Sequence, residues 1–201
     1  MPAWAWVLII VAAVVVLVVA VWRGLAARRS KSLRDRFGPE YDRTLETSES
    51  KRDAESELSA RADRRSELEI RPLRTAARER YVAEWSRVQA QFVDDPDIAV
   101  HNADMLIQSV MRDRGYPMDD FEQRAADVSV DHPRVVEDYR QGHALARASA
   151  MGEGTTEDLR RAMQHYRSLF DELVEEASDA PLSRDDARAE TAMRDDEAMR
   201  R

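Results

Sequence analysis

Hydrophobic residues fill the first part of the chain without interruption. Residues 3–22 contain no charged side chain and consist mainly of Val, Ile, Leu, Ala and Trp. At about 1.5 Å rise per residue, a helix of this length spans the roughly 30 Å hydrocarbon core of a bilayer. Trp4, Trp6 and Trp22 lie at its two ends, where aromatic rings favour the headgroup level. The pattern predicts a transmembrane helix over residues 3–22, and it fits a cleaved signal peptide poorly because no basic segment precedes it.

A cluster of basic residues follows this apolar segment. Residues 23–36 contain six bases and a single acid, Asp35; the bases are Arg23, Arg28, Arg29, Lys31, Arg34 and Arg36. Such a flank stays in the cytoplasm and is attracted to anionic lipid headgroups. We therefore predict a basic juxtamembrane segment over 23–40, an N-terminus outside and a cytoplasmic remainder. The preference for Arg over Lys is typical of GC-rich bacteria, so the predicted location is the bacterial inner (cytoplasmic) membrane.

Charged residues dominate the next segment, 41–69. Leu45, Leu58 and Leu68 are its only large aliphatic residues, and opposite charges recur at helical spacing, as in Glu57 and Arg61. This composition predicts a solvated helical stalk or a linker, which as a helix would extend roughly 40 Å. A dimerising coiled coil is the weaker alternative, since the leucine spacing does not sustain a heptad.

Helical periodicity becomes strong from Ile70 onward. One apolar face of the first predicted helix consists of Leu73, Ala77, Tyr81, Trp85, Val88 and Phe92. Pro96 at a first helical position and Gly115 after the last turn delimit a second helix, and Thr155 with Asp158 predicts a capping box for the final helix. No segment alternates like a strand. The predicted fold is all-α, with a small bundle of four to five helices over 70–177 and a mobile acidic/basic tail over 178–201.

Acids, a His and a Tyr are concentrated in the stretch from Arg112 to Val136. Most of them fit helix punctuation: Gly115 and Pro117 end a helix, and Asp119 and Asp131 are placed to cap the next two. Loops at the corners of a bundle also expose side chains that a partner can bind. The predicted interaction residues are Tyr116, Asp119, Phe121, Asp131, His132, Tyr139 and His143.

The sequence lacks the residues that several classes of protein need for their function. The chain has no Cys and a net charge of −8, and it shows no catalytic or nucleotide-binding motif. Eleven residues separate His132 from His143, about 16 Å if both lie in one helix, which is too far to share a metal ion. We therefore expect no nucleic-acid partner, no cofactor, no metal site and no enzymatic activity. The sequence offers no support for a homo-oligomer, although it does not exclude one.

Five motifs carry a resemblance to a family. They are FGPEYDR, IRPL, RDRGYP, DFEQRAADVSVDHP and HYRSLF, which together cover most of the chain from Phe37 to Phe170. The chain resembles uncharacterised bacterial single-pass membrane proteins with a charged stalk and a helical cytoplasmic domain. This resemblance implies the same domain outline, but it implies no activity, substrate or cofactor.

The predicted function is that of a membrane-anchored module. The anchor fixes the location, the basic segment contacts anionic headgroups, and the helical domain presents a protein-interaction or scaffold surface to a protein partner. The alternative is a ligand-binding or enzymatic bundle that uses a cleft near Tyr116, His132, Tyr139 and His143.

Overall fold

Helices make up most of the described part of the chain. A computed structural model describes the backbone of residues 3–179 and the side chains of residues 14, 16–18, 20–25 and 27–175. The helices within these residues are α1 (Ala3–Phe37), α2 (Pro39–Thr47), α3 (Lys51–Glu67), α4 (Thr75–Gln91), α5 (Pro96–Arg114), α6 (Phe121–Asp131), α7 (Val136–Ala150) and α8 (Thr156–Asp179). Residues 3–179 contain no strand, and the prediction of an all-α fold is confirmed. Most of the predicted tail, from residue 180 onward, lies outside the described residues.

The helices divide between two compact units. Unit 1 comprises the residues up to Leu68 together with Asp119–Arg140, and unit 2 comprises Glu69–Met118 and the residues from Gln141 onward. Unit 1 therefore holds α1, α2, α3, α6 and the start of α7, whereas unit 2 holds α4, α5, the rest of α7 and α8. This division differs from the predicted bundle over 70–177, because residues 119–140 pack with the helices that precede residue 69.

A small apolar core holds unit 1 together. Its buried members are Leu33, Phe37, Tyr41, Leu58 and Val130, which come from α1, α2, α3 and α6. Each large apolar side chain that is fully buried contributes about 1.5–3 kcal/mol. Segment 41–69, for which the sequence predicts a solvated stalk or a linker, thus forms α2 and α3 and packs inside unit 1. Its few leucines are sufficient because their partners come from distant parts of the chain.

In unit 2, helix α5 packs against α8 and α4. The apolar face predicted for α4 is present: Tyr81 and Trp85 are each 4% exposed. The Trp85 indole stacks on the ring of Phe170 in α8, with centroids 4.6 Å apart. Ile107 and Met111 of α5 are fully buried. The sequence periodicity therefore located this core correctly.

Turn residues delimit several helices as predicted. Gly115 ends α5 with φ 97°, in the left-handed region, and a Cβ there would lie 2.6 Å from the carbonyl oxygen of Glu69. Pro96 is the first residue of α5. The Asp158 amide donates to Thr155 Oγ1 at 3.2 Å, and the Thr155 amide donates to the Asp158 carboxylate at 3.0 Å, so the predicted capping box is confirmed.

Two predicted caps are wrong. The N-cap of α6 is Asp120, whose carboxylate accepts from the Gln123 amide at 2.9 Å, and Asp119 lies one residue before it. Asp131 is the last residue of α6, while α7 begins only at Val136. Both carboxylates pair instead with arginines of α3, a contact that local spacing does not reveal.

Helix α1 is continuous from Ala3 to Phe37. Its 35 residues extend about 52 Å at 1.5 Å per residue. Among the residues that the structure describes, no helix meets the length and apolarity needed to cross a membrane. The side chains of residues 3–13, 15 and 19 lie outside the described residues and account for most of the predicted span. The transmembrane helix over 3–22 therefore stays a prediction.

Candidate functional site

Exposed apolar side chains occupy the described part of α1 ahead of its basic end. Seven large ones are 52–71% exposed: Val14, Val16, Leu17, Val18, Val21, Trp22 and Leu25. At roughly 100° per residue, they spread over about two thirds of the helix circumference. A water-facing helix normally has an apolar stripe on one side only. The described apolar residues of α1 are therefore not confined to a single stripe.

The six predicted lipid-contact residues fall into two groups. Arg29 donates to Ser59 Oγ at 2.8 Å, and Arg34 pairs with Asp42 at 2.9 Å while its guanidinium lies over the Tyr41 ring. The other four are exposed and form no ion pair with the residues that the structure describes: Arg23, Arg28, Lys31 and Arg36. Four of the six positive charges are thus available to a headgroup without breaking a contact inside unit 1.

Five of the seven predicted interaction residues belong to unit 1. Asp119, with its side chain 52% exposed, pairs with Arg64 at 2.6 Å, and Asp131 pairs with Arg65. Phe121 packs against the fully buried Tyr139, with ring centroids 4.9 Å apart. His132 is 2% exposed. Tyr139 and His132 are therefore interior side chains, and Asp119 is the most exposed of the five.

The other two predicted residues belong to unit 2. Tyr116 is 4% exposed and its ring lies 5.8 Å from the Arg114 guanidinium carbon. His143 is half-buried in α7. The four residues of the predicted cleft are thus divided, with Tyr116 and His143 in one unit and His132 and Tyr139 in the other. Tyr116, predicted from the sequence as an interaction residue, has a buried ring.

A buried ion network in unit 1 was not predicted from the sequence. Glu40, at the start of α2, is 2% exposed. Both of its carboxylate oxygens accept hydrogen bonds from Arg140, at 2.7 and 2.8 Å, and one also accepts from Arg61 at 2.8 Å. Arg61 pairs with Glu57 as well, and Arg43 pairs with Glu137 at 3.1 Å. The network ties α2, α3 and α7 together around one buried carboxylate.

Two opposing effects set the charge state of Glu40. Burial alone would raise the pKa of this carboxyl, but the hydrogen bonds and charges of Arg140 and Arg61 outweigh it and lower the pKa below its usual 4.5. Glu40 is consequently a carboxylate at neutral pH. A buried carboxylate that accepts three hydrogen bonds from two arginines serves as a structural counter-ion and is shielded from a substrate.

A second set of ion pairs joins α3 to α6. The buried Asp127 accepts from Arg64 Nε at 3.0 Å and from the Gln123 side chain at 2.9 Å. Arg65 pairs with Asp131 one turn further along. Arg64 and Arg65 thus face carboxylates spaced four residues apart on α6. In the sequence, these ion pairs are indicated only by repeated arginines on one charged helix and repeated acids on another. Sequence alone does not identify which helices pair.

Two shallow grooves occur on the described surface. One, of about 310 Å³, lies between α4 and α5 in unit 2 and is lined by Glu84, Arg87, Val88, Asn102, Met105, Leu106 and Ser109. The other, of about 480 Å³, lies between α3 and α6 in unit 1, and its lining residues include Arg61, Arg64 and Gln123. Within the described residues, no group of three or more His, Asp or Glu side chains is arranged to hold a metal ion.

Comparison with known proteins returns no match among family models, curated proteins or solved structures. The family resemblance drawn from the sequence motifs therefore stays a prediction.

Proposed function

We propose that the chain is a single-pass membrane protein whose helical units act as a protein-interaction or scaffold module. In this proposal α1 is the anchor in a bacterial inner membrane, the N-terminus is outside, and both units are cytoplasmic. The exposed bases at the end of the anchor contact anionic headgroups. A protein partner binds a helical surface, and the function requires no cofactor, metal or catalytic group.

The observation that carries the proposal is the combination of exposed apolar and exposed basic residues along α1. Seven large apolar side chains face outward between residues 14 and 25, and four exposed bases within residues 23–36 form no ion pair in the described part of the chain. An apolar helix surface followed by Arg and Lys is typical of a membrane span with its cytoplasmic flank. At about 1 kcal/mol per basic residue within a Debye length of an anionic surface, Arg23 and Arg28, the two bases nearest the span, contribute roughly 2 kcal/mol.

The continuity of α1 sets the distance between the proposed bilayer and unit 1. Eleven residues separate Trp22, at the end of the predicted span, from Leu33, the first buried core residue. This separation corresponds to about 16 Å of helix. The proposal therefore places the unit 1 core close to the headgroups, whereas the predicted 41–69 stalk would have held the domain roughly 40 Å away.

The arrangement of charged side chains in unit 1 favours a binding role over catalysis. The buried acids Glu40 and Asp127 are both neutralised by arginines within the same unit. Catalytic acids and bases instead need a proton-transfer partner within reach of a substrate. The grooves on both units are open and shallow, which suits the surface of another protein better than an enclosed small molecule.

A topology experiment tests the proposal. A reporter that is active only in the cytoplasm, fused after Arg201 of the full chain in a bacterial host, should be active, and a reporter that is active only in the periplasm should be inactive at that site. Changing Arg23, Arg28, Lys31 and Arg36 to Gln, and adding four Lys residues before Ala3, should weaken or invert this preference. The opposite reporter result for the unchanged chain would contradict the proposed orientation.

The alternative function is a ligand-binding or enzymatic bundle centred on Tyr116, His132, Tyr139 and His143. It predicts that a small molecule co-purifies with the full chain and is lost in a His132→Ala, His143→Ala variant. Native mass spectrometry of the two proteins tests it directly. No contact described above favours this alternative, and the interaction module is therefore preferred.

A further inference from the structure

The groove between α4 and α5 combines an apolar floor with exposed apolar neighbours. Val88 and Leu106 form the floor, and Met105 lines the groove with 46% of its surface exposed. Ile98, one heptad before Met105 on the same side of α5, is 47% exposed. Ile98 and Met105 are thus two exposed apolar residues, seven positions apart, beside a shallow apolar groove. Such an arrangement is typical of a surface on which another helix packs.

Charges of both signs lie at the edge of this groove. Glu84 and Arg87 are three residues apart on α4 and both line the groove. Among the described residues Arg87 forms no ion pair, and the nearest cation to Glu84 is Arg80 at 4.0 Å. Arg80 itself lies closer to Asp113, at 3.3 Å. The groove therefore presents one unpaired cation and one weakly paired anion side by side.

We propose that this face binds the same face of a second copy of the chain, related by a two-fold axis. A two-fold contact forms each off-axis pair of residues twice and brings a residue near the axis close to its own counterpart. Glu84 of each copy then meets Arg87 of the other, so two ion pairs form from one adjacent pair of residues. The apolar floor and Met105 pack at the centre, where α4 and α5 of both copies form a four-helix layer.

The size of the face sets the strength of this contact. Helices of 17 and 19 residues, packed side by side, offer a face about 25 Å long and roughly 20 Å wide. The two copies together would bury on the order of 1,000 Å², at the lower limit for a specific protein contact. The dimer should therefore be concentration-dependent, with a dissociation constant on the order of micromolar.

Charge reversal tests the pairing directly. Sedimentation or energy transfer between labelled copies of the full chain in detergent micelles should show a dimer that increases with concentration. Arg87→Glu and Glu84→Arg should each raise the dissociation constant at least about tenfold, because each change places like charges across the axis twice. The double variant Glu84→Arg, Arg87→Glu should restore the dimer. The inference is overturned by a wild-type chain that stays monomeric, by single variants that dimerise normally, or by a double variant that fails to recover while retaining its helical circular dichroism and thermal midpoint.

A cysteine experiment in membranes gives an independent readout, since the chain has no Cys of its own. Met105→Cys should yield a disulfide-linked homodimer under mild oxidation, because a residue near the axis lies close to its counterpart. Ser168→Cys, exposed on α8 of the same unit, is the matched control and should stay monomeric. Equal crosslinking at both positions, or crosslinking of Met105→Cys only to a different protein, would exclude the two-fold contact. Neither experiment requires the proposed anchor to be correct. If the chain proved to be free of membranes, its dimerisation and its cysteine crosslinking could both be measured in aqueous solution.

Discussion

The stability of the protein should depend strongly on the buried carboxylate of Glu40. In the variant Glu40→Gln, the side chain keeps nearly the same size but loses its charge. Arg140, which donates two hydrogen bonds to the carboxylate, and Arg61, which donates a third, then lose their buried counter-ion and keep only their pairs with the more exposed Glu137 and Glu57. The change therefore breaks one partner of a buried ion cluster and disturbs little else.

The expected cost follows from the burial of the three groups. Removing one partner of a buried ion pair costs about 3–5 kcal/mol, since the remaining charge stays desolvated. The side chains of Arg61 and Arg140 are still 15% and 11% exposed, so water compensates part of the loss. Glu40→Gln should therefore destabilise the protein by about 3 kcal/mol, the lower end of that range. For a chain of this size the thermal midpoint should fall by roughly 6–12 °C.

Glu46→Gln is the matched control, because Glu46 is an exposed carboxylate on the same helix. Circular dichroism at 222 nm, followed during heating and during urea titration of the full chain in detergent, measures both variants against the wild type. The control should change stability by less than about 0.5 kcal/mol. If the two variants lose the same stability within that margin, the ion network does not stabilise unit 1 as argued.

Three further predictions follow from individual contacts. The pKa of Glu40 is lowered below its usual 4.5, so its charged form stabilises the protein above pH 4.5. This stabilisation is lost as the pH falls through the folded-state pKa. The difference in stability between wild type and Glu40→Gln, measured by urea titration, should therefore shrink from pH 7 to pH 3. Trp85→Ala should lower the free energy of unfolding by about 3–5 kcal/mol, because its ring is buried against Phe170. The control Val82→Ala, on the exposed side of α4, should lower it by less than about 0.5 kcal/mol in the same urea titration. Gly115→Ala should lower the thermal midpoint more than Gly152→Ala. Both positions have positive φ, but only at Gly115 would the Cβ meet a backbone oxygen, that of Glu69. Equal losses of thermal midpoint would show that this contact is unimportant.

Sequence periodicity predicted the helices whose buried faces are continuous. Helix α4 was located from apolar residues at steps of three and four, and its buried Tyr81 and Trp85 lie on that face. The limits set by Pro96 and Gly115 were also readable, because proline and glycine restrict the backbone locally. Local signals of this kind need no knowledge of the tertiary structure.

The packing of α2 and α3 was not predictable from the same signals. Leu58 is fully buried, but its core partners Phe37 and Val130 lie 21 and 72 residues away in sequence. A charged helix with one buried leucine looks solvated when only neighbouring residues are considered. The same limitation explains the unpredicted Glu40 network, in which Arg140 is 100 residues from its partner.

The carboxylates of Asp119 and Asp131 show the same limitation of local signals. Asp119 and Asp131 have the spacing of helix caps, and capping was inferred from that spacing. In the folded chain Arg64 and Arg65 of α3 offer stronger, charged partners to the same carboxylates. Competition between a local backbone partner and a distant side chain is decided by tertiary structure.

Membrane integration through α1 is the central claim, and extraction of membranes at alkaline pH tests it most directly. Val14 and Val18 are 52% and 60% exposed on α1, and Val82 and Val93 are exposed valines of unit 2. Aspartate at the centre of a span costs about 2.5–3.5 kcal/mol and less toward the ends, so Val14→Asp, Val18→Asp should lose at least about 3 kcal/mol of insertion free energy. The wild-type chain and the control Val82→Asp, Val93→Asp should remain in the membrane pellet, while the α1 variant should be released to the supernatant. Release of the wild-type chain, or retention of all three proteins in the pellet, would contradict the proposed anchor.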